Sequence, residues 1–257
     1  LRLSKLCMKK GSYLFSSPGD FSSLKLLSSI NSQAYKISSG QFTNIPLIEE
    51  IIIKNMPIIF STGMAEEKDI KRVIDLCKKH KFSNYSLLHC ISLYPATFDQ
   101  LNLNYINQIK NKFNIVSGYS DHTLGELACI AAVSMGAKII EKHFTTDNNL
   151  KGADNELSMN ASDFKSMCKK IRLVENMKYN SAQKPHPLEL EVRNTRYRKI
   201  VAKKDISKGE KFTIDNVNFM RIEESYNALL ASEWNQVVGK ISKKNIKKYT
   251  LITKNEY

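Results

Sequence analysis

Gly118-Tyr119-Ser120-Asp121-His122-Thr123 and Glu141-Lys142-His143-Phe144 decide how this chain folds. Each ends a short apolar run that reads as a buried strand, over residues 114–119 and 138–144. Between them, Leu124 to Met135 has the apolar spacing of an amphipathic helix. The unit is strand, helix, strand, with a histidine at the carboxyl end of each strand. Parallel strands need a crossover of this kind, and the carboxyl edge of a parallel sheet is where α/β folds place their chemistry.

Working outward, the same alternation recurs. Strands are expected at 13–16, 34–38, 57–62, 85–90, 114–119 and 138–144, and helices at 21–30, 45–55, 66–80, 98–111, 124–135 and 161–177. Six such β/α units reach residue 179. A closed barrel has eight and takes about 250 residues. The first 179 residues are therefore expected to form either an open sheet or a barrel lacking its first two units. The abrupt opening at Leu1, inside what reads as a helix end, favours the barrel. Residues 180–195, with Pro185 and Pro187 and little periodicity, read as a linker. Residues 196–257 have short β-like runs and the turn Asp205-Ile206-Ser207-Lys208-Gly209-Glu210, and read as a second, mostly β domain.

The bulk properties narrow the function. The net charge is +14, carried mostly by lysines spread along the chain. No nucleic-acid-binding motif accompanies them, so an anionic small substrate is the expected partner rather than nucleic acid. No apolar run is long enough to span a bilayer. Cys7, Cys77, Cys90, Cys129 and Cys168 form no CxxC pair, which points to reduced thiols and a cytoplasmic place.

His122 and His143 are the first candidates for chemistry. Side chains alternate along a strand, so Ser120 shares a face with His122, and Glu141 with His143. Two imidazoles at adjacent strand ends suit a divalent metal, with positions left open for water and substrate. Each histidine taken alone reads more simply as a hydrogen-bonded core residue. Asp121 falls on the opposite face and is expected to bond to backbone or a helix, which leaves Glu141 as the better carboxylate for the site. Lys142 also points outward, which argues against it as a Schiff-base lysine. Lys36 could serve as one.

These segments, together with Phe15-Ser16-Ser17-Pro18, Tyr35-Lys36-Ile37-Ser38-Ser39-Gly40, Ser61-Thr62-Gly63-Met64, His89-Cys90, Tyr94-Pro95 and Gly152-Ala153-Asp154, resemble the sialic acid synthase family in family order. That family includes N-acetylneuraminate, legionaminate and pseudaminate synthases. Arg196-Tyr197-Arg198, the 205–210 turn and Gly239-Lys240 resemble its SAF (antifreeze-like) domain. The resemblance implies a (β/α)₈ TIM barrel followed by a small SAF domain, with the six strands here as barrel strands three to eight. It implies condensation of phosphoenolpyruvate with N-acetylmannosamine or a related N-acetylhexosamine, releasing phosphate. His122 and His143 would hold the metal, Mn²⁺ first, with Mg²⁺ or Co²⁺ as alternatives. Ser17, Lys36, Ser39, Ser92, Tyr94 and Ser120 match substrate-binding positions, and so does Arg221, which would reach the partner subunit's barrel in a domain-swapped homodimer. Gln41, Glu141 and Asp154 match catalytic positions.

Five departures accompany the match. Ser17 stands where the family usually has threonine, and both supply a hydroxyl. Ser92 stands where the best-known members have asparagine, so an amide is lost. Gln41 stands where the family carries glutamate, and an amide cannot shuttle a proton. Asn155 replaces a histidine. Ile222-Glu223-Glu224-Ser225 replaces a Pro-Gly-rich turn after Arg221. Ser39-Gly40-Gln41-Phe42-Thr43-Asn44 looks more like the sialic and legionaminic branch than the pseudaminic one. The departures also admit a different class of function, a non-catalytic homologue that binds a partner or carbohydrate, or an inactive fragment.

Overall fold

A computed structural model describes residues 2–177, 184–222 and 228–257. The contacts of the chain divide it into two units, Leu1–Tyr179 and Asn180–Tyr257. Residues 179–183, where the expected domain boundary and the start of the linker fall, lie outside the described residues.

The first unit is built on a five-stranded parallel sheet in sequential order: β1 (Tyr35–Ile37), β2 (Ile58–Ser61), β3 (Tyr85–Cys90), β4 (Val116–Asp121) and β5 (Ile140–Lys142). Helices α3 (Ile45–Ile53), α4 (Glu67–Lys79), α5 (Asn104–Phe113) and α6 (Leu127–Ser134) form the crossovers, with α1 (Arg2–Lys9) and α2 (Phe21–Ser29) before the sheet and α7 (Ala161–Met177) after it. The local sequence explains these elements. In α4 the buried Ile70, Val73, Ile74 and Cys77 recur at helical spacing on one face. Glu67 and Asp69 lie at its amino end and Lys78 and Lys79 at its carboxyl end, each sign where the helix dipole favours it. In α3 the Asn44 side chain caps the first turn and Leu47, Ile48, Ile51 and Ile52 face inward. The outward face of the sheet supplies Tyr35, Ile37, Ile58, Phe60 and Leu87 to the same core. The residues between them in the strands point to the concave side.

Several expected elements differ. Residues 13–16 make no strand, only one parallel bridge from Ser16 to Tyr35. Nothing described covers their far side, Tyr13 is 70% and Phe15 38% exposed, and Pro18 ends the run without a donor. The helix expected over 98–111 splits into a short 3₁₀ turn, Phe98–Gln100, and α5, because Asn102 turns left-handed between them with φ 43°. The helix expected from Leu124 starts at Leu127, since Gly125 takes φ 73°. Past β5, Phe144 bridges Met159 in parallel, a pairing that no strand-like run announces.

In the second unit β6 (Arg198–Ala202) pairs antiparallel with β7 (Val217–Arg221), and isolated bridges such as Val201 to Leu251 and Ile206 to Ile246 complete a mostly β frame. Ile200, Phe212, Val237 and Ile252 form its core. The segment read as an irregular linker contains a helix, α8 (Pro187–Arg196). Its two prolines read as breakers, yet Pro187 occupies the first helical turn, where its missing N–H costs nothing, and His186 and Glu189 cap the start. Among the described residues, no helix is long and apolar enough to cross a membrane.

Candidate functional site

The carboxyl ends of the five strands surround a cavity of about 450 Å³. Lys36 of β1, Ser120 of β4 and Glu141 of β5 line it, with Ser17, Ser39, Ser92, Tyr94, His122 and His143 from the loops and strand ends. The structure thus brings together most of the residues singled out in the sequence.

The floor is a charged cluster. Lys36, only 7% exposed, donates to Ser61 Oγ at 2.7 Å and lies 3.3 Å from Glu141 Oε2. The same carboxylate oxygen accepts from Ser120 Oγ at 2.5 Å and from Ser61 Oγ at 3.4 Å. Ser120 and Glu141 are registered partners across β4 and β5. Lys36 belongs to the strand at the other end of the sheet. Neighbouring strands lie about 4.8 Å apart, so a flat sheet would put β1 and β5 about 19 Å apart. A 3.3 Å contact between their side chains requires the sheet to curve toward its concave face, as an arc of a barrel does.

Above this floor stand the two histidines, with ring centroids 5.2 Å apart. Tyr94 packs on both, 4.1 Å from the His122 ring and 5.7 Å from that of His143. His122 Nδ1 donates to the Ile91 carbonyl at 2.7 Å. A carbonyl can only accept, so Nδ1 carries a proton, and in the neutral ring Nε2 keeps its lone pair. Asp154 Oδ2 lies 3.6 Å from His143 Nδ1. Burial, and then the charge of His122, push the His143 pKa down and favour its neutral form. At His122 burial acts in the same direction, but hydrogen bonds with Cys90 and Ile91 outweigh it and the pKa is raised. Among the described residues, no three His, Cys, Asp or Glu side chains group into a metal-holding set. The donors on offer are the two imidazoles.

Other candidates sit elsewhere. Gln41 is not among the residues lining the cavity; its Oε1 accepts from Asn44 Nδ2 at 2.9 Å, beside the α3 cap. Asn155 donates and accepts within its own loop, taking a 2.8 Å bond from Thr145 Oγ1. Arg221 stands in the second unit at the exposed end of β7, registered opposite Arg198. Residues 223–225 of the segment that follows it lie outside the described residues.

Sequence reasoning assigned no role to Ser61, Gly63, Met64 or Cys90. Ser61, Met64 and Cys90 line the cavity. A Cβ on Gly63 would stand 2.3 Å from Ser92 Oγ, 2.8 Å from Ser39 Oγ and 3.0 Å from Cys90 Sγ. Glycine there lets three polar side chains meet. Burial pushes the Cys90 thiol up, but bonds with His122, Ser39 and Ser92 outweigh it and leave its pKa lowered. The available signal for Ser61 was a small polar residue closing an apolar run on the inward phase.

Residues 1–183 match the NeuB family, and residues 197–257 match the SAF domain. The chain belongs to the NeuB family. It is 40% identical over 232 residues to an uncharacterised protein of Methanocaldococcus jannaschii, covering 89% of this chain and 69% of that one. It is 38% identical over 239 residues to the N,N'-diacetyllegionaminic acid synthase of Campylobacter jejuni, covering 92% and 71%. The crystal structure of an N-acetylneuraminic acid synthetase from Leptospira borgpetersenii superposes with a TM-score of 0.71 at 32% identity, covering 76% of this chain and 69% of that one. This NeuB chain is thus a member of a family of nonulosonic acid synthases, and the curved parallel sheet with its small antiparallel companion is the fold of that family.

Proposed function

We propose that this NeuB chain condenses phosphoenolpyruvate with N-acetylmannosamine or a related N-acetylhexosamine, giving a nonulosonic acid and phosphate. One observation carries the reading: Lys36, Ser61 and Ser120 converge on a single carboxylate oxygen, Glu141 Oε2, in the floor of the cavity. An ammonium and two hydroxyls aimed at one anionic atom are what a phosphate or carboxylate of phosphoenolpyruvate needs.

The donor set fits a divalent cation. His122 has its Nε2 lone pair free of its Ile91 bond, His143 is favoured neutral, and both line the cavity. These two residues would hold Mn²⁺, or Mg²⁺ or Co²⁺, and when bound it supplies Lewis-acid polarisation of the hexose aldehyde. The chain's own residues do the rest. Lys36, Ser61 and Ser120 hold phosphoenolpyruvate with its C3 toward the aldehyde, so that the carbon–carbon bond forms between fixed partners. C2 then takes up water, and phosphate leaves with cleavage of the C–O bond. Glu141, which lines the cavity, and Asp154, 3.6 Å from His143 Nδ1, would be the carboxylates that carry protons. Gln41 supplies a hydrogen-bonding amide only. Tyr94 packs where the sugar would lie, and Gly40 leaves open space beside it. The family resemblance supports a homodimer in which Arg221 serves the partner's site, and the five free cysteines support a reducing, cytoplasmic place for the reaction.

The test is phosphate release from phosphoenolpyruvate that depends on N-acetylmannosamine and Mn²⁺, for the parent, Gln41→Glu and His122→Ala. Release by the parent that is lost in His122→Ala is the expected result. Release by Gln41→Glu alone would locate a defect at Gln41. Silence in the parent and in Gln41→Glu would leave the chain as a non-catalytic binding homologue.

A further inference from the structure

Behind the two histidines, on the outward face of the sheet, lies a buried ion pair that the proposed chemistry does not use. Lys142 Nζ is 2.7 Å from Asp121 Oδ2, and their side chains are 1% and 0% exposed. Asp121 and Lys142 are registered partners on β4 and β5 and are the last residues of their strands. The next residue in each chain is His122 or His143.

Beyond that pair the two strands part company. The His122 carbonyl accepts from Ala96 N at 3.1 Å, and the His143 carbonyl from Met159 N at 2.9 Å. The β4–β5 ladder therefore stops one residue short of the histidines, at the two strand residues that the ion pair joins. The pair also holds the residue that follows His122. Thr123 N donates to Asp121 Oδ1 at 3.0 Å, Thr123 Oγ1 donates to Oδ2 at 3.2 Å, and Lys142 Nζ donates to the Thr123 carbonyl. His122 is thus bracketed on both sides. Tyr119 OH and Cys129 Sγ complete the set on the carboxylate, each at 3.2 Å.

Burying a single ion pair is a poor way to gain stability, because desolvation of the two charges offsets most of their attraction. It is a good way to fix geometry when every donor and acceptor is satisfied. We infer that Asp121 and Lys142 are positioning residues that set the orientation of His122 relative to His143. The inference rests on the proposed role of the two histidines as metal ligands, and outer residues that orient ligating imidazoles typically govern about 10- to 100-fold in metal affinity.

The experiment compares the full chain with Lys142→Met and with the double variant Asp121→Asn/Lys142→Met. The double variant removes both charges together and so leaves no orphaned ion if the single one fails to fold. Two readouts are taken on protein whose far-UV circular dichroism matches the parent. Imidazole ¹⁵N spectra without metal read the His122 tautomer. Titration with Co²⁺ alone, followed by visible absorption with His122→Ala as control, reads metal binding. The parent is expected to show one Nδ1–H tautomer, and the variants a mixture with Co²⁺ affinity weakened about 10- to 100-fold. An unchanged tautomer in a folded variant overturns the inference, and so does a mixed tautomer in the parent. A parent with one tautomer but no Co²⁺ absorption refutes the metal reading while the tautomer still decides the clamp.

Discussion

Gly40 lines the cavity, Gly63 lies against three side chains that line it, and the two glycines have opposite tolerances. A methyl on Gly63 would collide with Ser92, Ser39 and Cys90, whereas one on Gly40 meets nothing within 4 Å. Gly63→Ala should therefore displace the serine and thiol side chains that shape the pocket and cost stability on the order of 1–3 kcal/mol, the usual range for overpacking. Gly40→Ala should leave the unfolding midpoint unchanged. In a synthase assay Gly63→Ala should lose activity and Gly40→Ala should act mainly on KM for the hexose. Equal urea midpoints for the two variants would contradict this. Strand parity paired Ser120 with His122 and Glu141 with His143 in the sequence, and the family resemblance added Lys36. Parity could not find Gly63, whose meaning lies in three side chains far from it along the chain.

At the scale of elements, His89 shows how a strand is fastened to its neighbours. It lies on the outward face of β3, 5% exposed, donates from Nε2 to the Leu101 carbonyl at 2.5 Å, and packs against Tyr105 and Tyr119. Burial lowers its pKa below the ordinary 6.5, and the Leu101 bond restores only part of the shift. The unfolded chain then binds the proton more readily than the folded one. The contribution to stability is complete above pH 6.5 and is lost as pH falls from there through the folded value. His89→Gln, which can keep a donor toward Leu101, should flatten the urea midpoint against pH between 7 and 5 by at most about 1.4 kcal/mol per pH unit, the value of one proton. Parallel curves for parent and variant would count against it. The sequence pattern located the strands of the sheet well because their apolar runs are short and bounded. It misjudged residues 13–16, which have the composition of a strand but, among the described residues, pair only through Ser16 with Tyr35, and α8, where prolines at a helix start look like prolines in a loop.

At the scale of the whole molecule, the two units have separate cores. Phe212 is fully buried among Ile200, Val237 and Ile252 in the second unit, while Ile48, Phe60 and Leu87 lie in the first. Phe212→Ala should destabilise the second unit by about 3–5 kcal/mol. It should leave Co²⁺ or Mn²⁺ binding at His122 and His143 within a factor of two of the parent. Loss of metal binding in that variant would mean that the two units do not fold independently. The division itself was legible, since the β/α alternation stops near residue 177 and turn signals take over. The role proposed for Arg221 came from the family resemblance and not from the residues around it, because a residue that would serve a second chain leaves no local trace.

The contact between Lys36 and Glu141 joins the first and last strands of the sheet through their side chains. The ammonium that makes this link is also the one an incoming phosphate would claim. On the proposed chemistry, substrate occupancy and sheet curvature would therefore compete for the same cation: a bound anion would take over the staple between the two ends of the arc, and on its release the carboxylate of Glu141 would resume that place.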